Sequence, residues 1–213
     1  MSELTNPSQD ELSQIRIFHT PSNKIFYGWW IVLAGTLIFT VSSGIGFYGH
    51  GVFLDPLRSA HGWSKGSISL AVTLYFVTTG ILGFFIGKQV DRFGPRPVLI
   101  IGALIAGLGF GLLSLVQELW QLYLVYFLIA LGWSASGMIP LNAVITTWFV
   151  RRRGLAMSLT MNGLSLGGII LVPGATYLIS RWGLKATLPV LGALFWVIIV
   201  PLAIFVIKRR PAD

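Results

Sequence analysis

The chain has 213 residues, of which 54% are apolar and 10% charged, with a formal net charge of +8 and no cysteine. A charged share this far below the quarter usual in soluble proteins leaves too little polar surface to cover a water-exposed core, so the composition specifies an integral membrane protein. The lack of cysteine excludes disulfides, thiolate catalysis and cysteine metal sites. The basic residues cluster between apolar runs, a pattern of topology signals and lipid-headgroup contacts rather than of a nucleic-acid surface.

Residues 1–26 are polar and of mixed charge, and read as a cytoplasmic tail. The first apolar run begins too late and is too long for a signal peptide. Six runs follow, each long enough to cross a hydrocarbon core of about 30 Å as a helix. Helix is required because an isolated strand would leave backbone groups unpaired in lipid. The spans are expected at about Trp29–Phe53, Ser64–Lys88 with Ser64 as N-cap, Pro97–Val116, Leu119–Val150, Gly154–Ser180 and Leu184–Ile207. The six-helix bundle thus occupies residues 27–207, and residues 208–213 form a basic cytoplasmic tail or the start of a central loop.

Orientation follows from the basic residues. Arg16, Lys24, Lys88, Arg92, Arg96, Arg151 to Arg153 and Lys208 to Arg210 fall on one side, and Arg58, Lys65, Arg181 and Lys185 on the other. This 11 to 4 split places both termini in the cytoplasm, with the plasma or inner membrane as the expected location. Every Asp, Glu, Lys and Arg lies in a tail, a loop or at a span end, so no intramembrane carboxylate or charged base marks a proton relay.

Polar side chains are unevenly shared among the spans. The third carries only Ser114 and the sixth only Thr187, each near an end, so these two read as lipid-facing. Spans one, two, four and five could line a wet cavity, with Thr40, Ser43, Tyr48, Tyr75, Thr79, Asn142, Met161, Asn162 and Ser165 as candidate lining. For any single hydroxyl, a bond back to its own helix is the commoner use. Small residues mark close packing at Ala103, Gly107 and Gly111, at Gly83 and Gly87, and at Gly163 and Gly167. Pro140 and Pro173 lie inside spans and predict kinks.

No catalytic constellation is present. His19 lies in the tail, His50 and His61 near the far-side loop, and no paired carboxylate accompanies them. The reading is of a protein that is not an enzyme and carries no metal or cofactor.

Between the second and third runs lies Gly87-Lys88-Gln89-Val90-Asp91-Arg92-Phe93-Gly94-Pro95-Arg96-Pro97, a charged turn in a stretch otherwise poor in charge. Its Gly87-x-x-x-Asp91-Arg92-x-Gly94-x-Arg96 pattern resembles the loop between helices two and three of the major facilitator superfamily. Phe53-Leu54-Asp55-Pro56-Leu57, Gly62-Trp63-Ser64-Lys65 and Trp148-Phe149-x-x-Arg152-Arg153-Gly154 resemble its monocarboxylate-transporter-like and oxalate/formate-antiporter-like branch. The resemblance implies an all-α fold in which this chain is one six-helix bundle made of two inverted three-helix repeats, the N-terminal half of a transporter. It implies that spans one, two, four and five face the cavity. It assigns Gly87, Asp91, Arg92, Gly94 and Arg96 to a conformational latch, with Asp91 meeting a helix N-terminus of a second bundle and the arginines holding the loop through charge pairs. Arg152 and Arg153 belong to the loop entering helix five. Drug–proton antiport is disfavoured, because Pro173-Gly174 reverses the expected order of the helix-five motif. The expected activity is secondary transport, by symport or antiport, of a small organic and anionic solute such as a mono- or dicarboxylate. Substrate-binding cations are then expected in the second bundle. The alternative is a self-contained six-span scaffold or receptor without transport.

Overall fold

The computed structural model describes residues 27–207, so the expected tails at 1–26 and 208–213 lie outside the described residues. Every regular element among the described residues is a helix. The first span is two helices, α1 (Gly28–Gly46) and α2 (Gly49–His61), and the second is α3 (Lys65–Phe93). The third is α4 (Pro95–Leu113), and the fourth is again two helices, α5 (Leu119–Ser136) and α6 (Met138–Trp148). The fifth begins with α7 (Arg153–Leu166) and passes through a π turn at Gly167–Leu171 into α8 (Val172–Leu194), which is broken inside by Gly183. Further π turns at Phe195–Ile199 and Leu202–Val206 complete the sixth span.

Local chemistry explains each boundary. Ser64 caps α3, its hydroxyl accepting the Ser67 amide at 3.1 Å. Gly94 closes α3 at φ 87° and ψ 162°, and Pro95 opens α4 directly after it. Gly183 adopts φ 78° and ψ 167°, a non-helical conformation that separates the fifth and sixth spans. Glu118 starts α5 with a capping box, the Gln121 side chain accepting the Glu118 amide in return.

The two expected kinks have distinct forms. Proline removes the donor that would bond the carbonyl four residues earlier. For Pro140 that carbonyl belongs to Ser136, and the helix breaks beside it at Gly137 (φ −98°, ψ −140°). The freed Ser136 carbonyl accepts the buried Ser42 hydroxyl of α1 at 3.2 Å. Pro173 follows the π turn at Gly167–Leu171, whose widened backbone accommodates the missing bond without a break.

The spans alternate in direction. At one end of the bundle the Tyr27 hydroxyl donates to the Val206 carbonyl at 2.9 Å, and the Trp29 ring lies 5.5 Å from that of Phe149. At the other end the His61 Nε2 lies 3.0 Å from the Val116 carbonyl oxygen. The start of the first span therefore meets the ends of the fourth and sixth, while its end meets the end of the third.

Backbone approach sets the helix pairing. Gly163 and Gly167 lie against α1 so closely that a Cβ on either would collide with Thr36, Thr40 or Gly44 backbone atoms. Gly102 faces Ala135 and Gly132 faces Ala106, joining α4 to α5, and Gly107 faces Gly192, joining α4 to the sixth span. Lipid offers apolar side chains the same surroundings as the bundle interior does, so this close fit replaces a hydrophobic drive between helices. Packing the fifth span on the first and the second on the fourth is the reciprocal arrangement that two inverted three-helix repeats produce.

Several boundaries differ from expectation. The first span reaches His61 rather than Phe53, because Asp55-Pro56 continues a helix instead of ending one. Charged residues on α2 are tolerated because Asp55 and Arg58 are exposed near its end. The charged stretch from Gly87 is mostly helix, and the turn itself is Gly94 alone.

Candidate functional site

At 29 residues α3 is about 44 Å long, more than the hydrocarbon core needs, so its last turns emerge into the polar zone. Asp91 and Arg92 lie on the last turn, both exposed. The Arg92 guanidinium sits 5.1 Å from the Phe93 ring centroid and Lys88 Nζ 4.3 Å from that of Phe84, contacts of cation–π type. Arg96 is half-buried in the first turn of α4. Gly94 thus turns the chain sharply, and the two helices present Asp91, Arg92 and Arg96 together at one end of the bundle. A Cβ built on Gly87 meets nothing within 4 Å, whereas one on Gly83 meets the Ile139 side chain at 3.3 Å. Gly87 therefore opens outward from this bundle.

Arg151, Arg152 and Arg153 are exposed where the fifth span begins, with Arg152 as the residue preceding α7. Three cations beside a helix N-terminus oppose the helix dipole. A favourable setting for them is anionic headgroups or a carboxylate outside the described residues.

The nine candidate lining residues divide into three groups by burial. Tyr48, Asn162 and Ser165 are exposed, and Thr79, Asn142 and Met161 are half-buried. Thr40, Ser43 and Tyr75 are buried in helix contacts. Ser43 donates across to the fifth span, 3.2 Å from the Gly163 carbonyl, and Tyr75 donates to the Gly46 carbonyl at 2.6 Å. Thr40 and Thr79 bond back within their own helices, to Thr36 and Tyr75 at 2.8 and 2.7 Å.

One pair of them comes together. Asn142 and Met161 line one narrow crevice with Phe39, Met138, Leu141 and Thr160, between the first, fourth and fifth spans. The Tyr48 ring packs against Gly168, one turn beyond Ser165. Tyr75 and Thr79 belong to a different contact, where Tyr75 lies 6.0 Å from Trp133. Tyr48, Asn162 and Ser165 are thus exposed and Asn142 and Met161 share a crevice, while Ser43 and Tyr75 hold helices together.

One polar residue is placed otherwise than expected. His50 lies one residue into α2 and is buried within the bundle, not beside the loop. It is surrounded by Tyr75, Phe76 and Tyr126. The continuation of helix to His61 puts the loop about 16 Å from His50, at 1.5 Å per residue over 11 residues. Reading Asp55-Pro56 as helix would have revealed it. Among the described residues no group of three metal-ligating side chains is assembled.

Comparison with known proteins agrees with this architecture. A profile described as Major Facilitator Superfamily matches residues 36–213. The chain is 27% identical over 183 residues to the uncharacterized MFS-type transporter YcxA of Bacillus subtilis, covering 85% of this chain and 45% of that protein. It is 30% identical over 193 residues to the MFS-type transporter pytF of Aspergillus terreus, covering 90% and 65% respectively. It is 29% identical over 176 residues to monocarboxylate transporter 13 of Bos taurus, covering 79% and 39%. The chain spans about half the length of such relatives. With the helical bundle, the turn at Gly94 and a profile match over most of its length, this multi-pass membrane chain belongs to the major facilitator superfamily.

Proposed function

We propose that this chain forms one bundle of a secondary transporter that moves a small organic anion, a mono- or dicarboxylate, by alternating access against a second six-helix bundle. The observation that carries the reading is the combination at the end of α3. Asp91 is exposed on a helical turn, and Gly87 one turn earlier leaves space open for a backbone from outside this bundle. A carboxylate so placed suits the N-terminus of a partner helix, where the dipole favours negative charge. Breaking and remaking that contact changes which side of the membrane is open.

The face bearing Tyr48, Asn142, Met161, Asn162 and Ser165 supplies hydroxyl, amide and thioether groups and no cation. It suits the uncharged parts of a small solute. The cation that neutralises a carboxylate is then contributed by the second bundle. Similarity to a protein named monocarboxylate transporter 13 supports the choice of substrate class. With the arginines at 151–153, both termini fall on the cytoplasmic side.

The test is uptake of labelled mono- and dicarboxylates into proteoliposomes, with this chain alone and with a co-expressed second bundle from a related transporter. Saturable uptake that requires both bundles is expected. Equal uptake by the chain alone, or none with either preparation, overturns the reading.

A further inference from the structure

The breaks in the first and fourth spans adjoin at a cluster of aromatic rings. Phe47 and Tyr48 connect α1 to α2, and Phe47 lies against rings from two other spans. Its centroid is 5.7 Å from that of Phe76 on α3 and 6.5 Å from that of Trp133 on α5. Tyr48 meets Phe47 edge to face at 5.1 Å, and its ring packs on Gly168 of the fifth span. Trp133 stands four residues before the break at Gly137 and donates its indole N–H to the Ser42 carbonyl of α1. These contacts place the cluster where the first, second, fourth and fifth spans meet, and spans three and six contribute no ring to them.

Burial within the cluster is uneven. Trp133 is half-buried and Tyr75, 6.0 Å from it, is fully enclosed, whereas Phe47, Tyr48 and Phe76 are 40%, 37% and 40% exposed. Aromatic rings favour edge-to-face or offset contacts with one another at centroid separations of about 4.5–7 Å. Three neighbouring rings, each more than a third open, offer such contacts to a further ring. Depth points to a solute as the source of that ring. Secondary transporters commonly hold their solutes beside interrupted helices near the bilayer midplane. Two interrupted spans adjoin here, and Phe76 lies in the middle third of α3. The cluster carries no formal charge, so it suits the uncharged ring of an organic anion and not its carboxylate. Polar groups begin just beyond it, with Ser165 exposed one turn before Gly168. An aliphatic chain on the same rings would gain burial alone, whereas a planar ring gains burial and ring–ring geometry together.

We propose that Phe47, Tyr48 and Phe76 form the ring-binding part of the solute site, and that the anion this chain handles is an arylcarboxylate, of the class of benzoate, in preference to a short aliphatic acid. Phe47 and Phe76 set the preference for a planar ring, and Tyr48 joins that surface to the fifth span. This inference deepens the transport reading by naming the class of solute, and rests on it for the identification of these rings with the solute path.

The experiment uses the full chain in mixed micelles and two probes of equal charge and ring size, benzoate and cyclohexanecarboxylate. The chain has no cysteine, so Gly80→Cys gives a single reactive thiol. Gly80 is exposed one turn beyond Phe76, and a Cβ there meets nothing within 4 Å. Benzoate is expected to slow alkylation of that thiol saturably, with half-protection at a concentration at least about threefold below that of cyclohexanecarboxylate. Phe47→Leu and Phe76→Leu should abolish the preference, and Phe76→Tyr, which keeps a ring, should retain it. The ratio of the two probes is measured on one sample, so a loss of folded chain alone does not move it. Equal protection by the two acids, or saturable protection by neither, overturns the proposal, and so does a preference that survives both leucine variants. Matching protection of Leu104→Cys, at an exposed position of span three, would show partition into the apolar phase only and overturns it as well. In the two-bundle assembly, uptake confined to acids without an aromatic ring overturns this inference and leaves the transport reading standing. Ring-specific protection with no uptake of any acid counts against the transport reading alone.

Discussion

The Tyr75 hydroxyl donates to the Gly46 carbonyl at 2.6 Å, fastening the last residue of α1 to the middle of α3. The chain leaves the helix just after Gly46, so that carbonyl has lost its regular partner and needs another. Tyr75→Phe keeps the ring and removes the donor. It should destabilise the bundle by about 1 kcal/mol, in the range of single interhelical bonds in membranes. Reversible unfolding in mixed micelles measures this directly, and an unchanged midpoint would mean that another donor reaches the carbonyl.

Ser42 and Ser136 make the corresponding connection between the two broken spans. Their bond exists because Pro140 cannot occupy the Ser136 carbonyl. The Trp133 indole adds a second tie by donating to the Ser42 carbonyl at 2.8 Å. Replacing Pro140 with Ala restores a backbone donor four residues after Ser136. The fourth span should then straighten, and the amide of residue 140 should become strongly protected in hydrogen exchange. Unfolding stability should change by less than about 3 kcal/mol, the cost usually attached to a helix-interior proline, because Gly137 already accommodates the break.

How much of this was readable from the chain depends on the range of the forces involved. Ser64, Pro95 with Gly94, and Gly183 act on their own backbone, so their effects stand in the sequence. The kink at Pro140 was legible for the same reason, but its compensation by Ser42 was not, since that contact joins residues 94 apart. The candidate lining shows the same division. Ser, Thr and Tyr identities indicated polar spans, yet only the packed bundle separates Ser43, which ties two spans, from Ser165, which is exposed. His50 escaped notice because a span drawn to Phe53 placed it beside a loop, whereas the helix runs on to His61.

His61 holds the end of the first span to the third–fourth connection. Its Nε2 lies 3.0 Å from the Val116 carbonyl oxygen, and its ring stacks on Trp63 at 4.3 Å. His61→Ala should release this corner, with faster hydrogen exchange expected for residues 114–118. The global cost should remain near 1–2 kcal/mol, as for a single hydrogen bond with part of a stacking contact. Unaltered exchange there would show that the capping box at Glu118 fixes the turn by itself.

Two glycines, one helical turn from their GxxxG partners, should respond in opposite ways to enlargement. A Cβ on Gly167 collides with the Ser43 side chain and with Thr40 and Gly44 backbone, which cannot retreat without parting the first and fifth spans. Gly167→Val should therefore lower the yield of folded bundle sharply, with a cost above about 3 kcal/mol. A Cβ on Gly87 meets nothing within 4 Å, so Gly87→Val should leave the thermal midpoint of this chain almost unchanged. In a two-bundle assembly the same change should impair transport if, as proposed, a partner backbone approaches Asp91 through that space.

Asp91 provides the sharpest test of the latch. It is exposed on the last turn of α3, so Asp91→Asn removes a charge without disturbing internal packing, and the unfolding midpoint of the chain should not move. A carboxylate at a helix N-terminus contributes from a few tenths to about 2 kcal/mol. Its loss should shift the balance between inward- and outward-open states by a factor between about 2 and 30. Cysteine accessibility at each mouth of a two-bundle assembly reads that shift, and transport of the labelled carboxylate should fall in parallel. Asp91→Glu, which retains the charge, should recover part of both. If Asn and Glu variants lose transport equally while accessibility is unchanged, the residue does not act through its charge at a helix terminus, and the latch assignment fails.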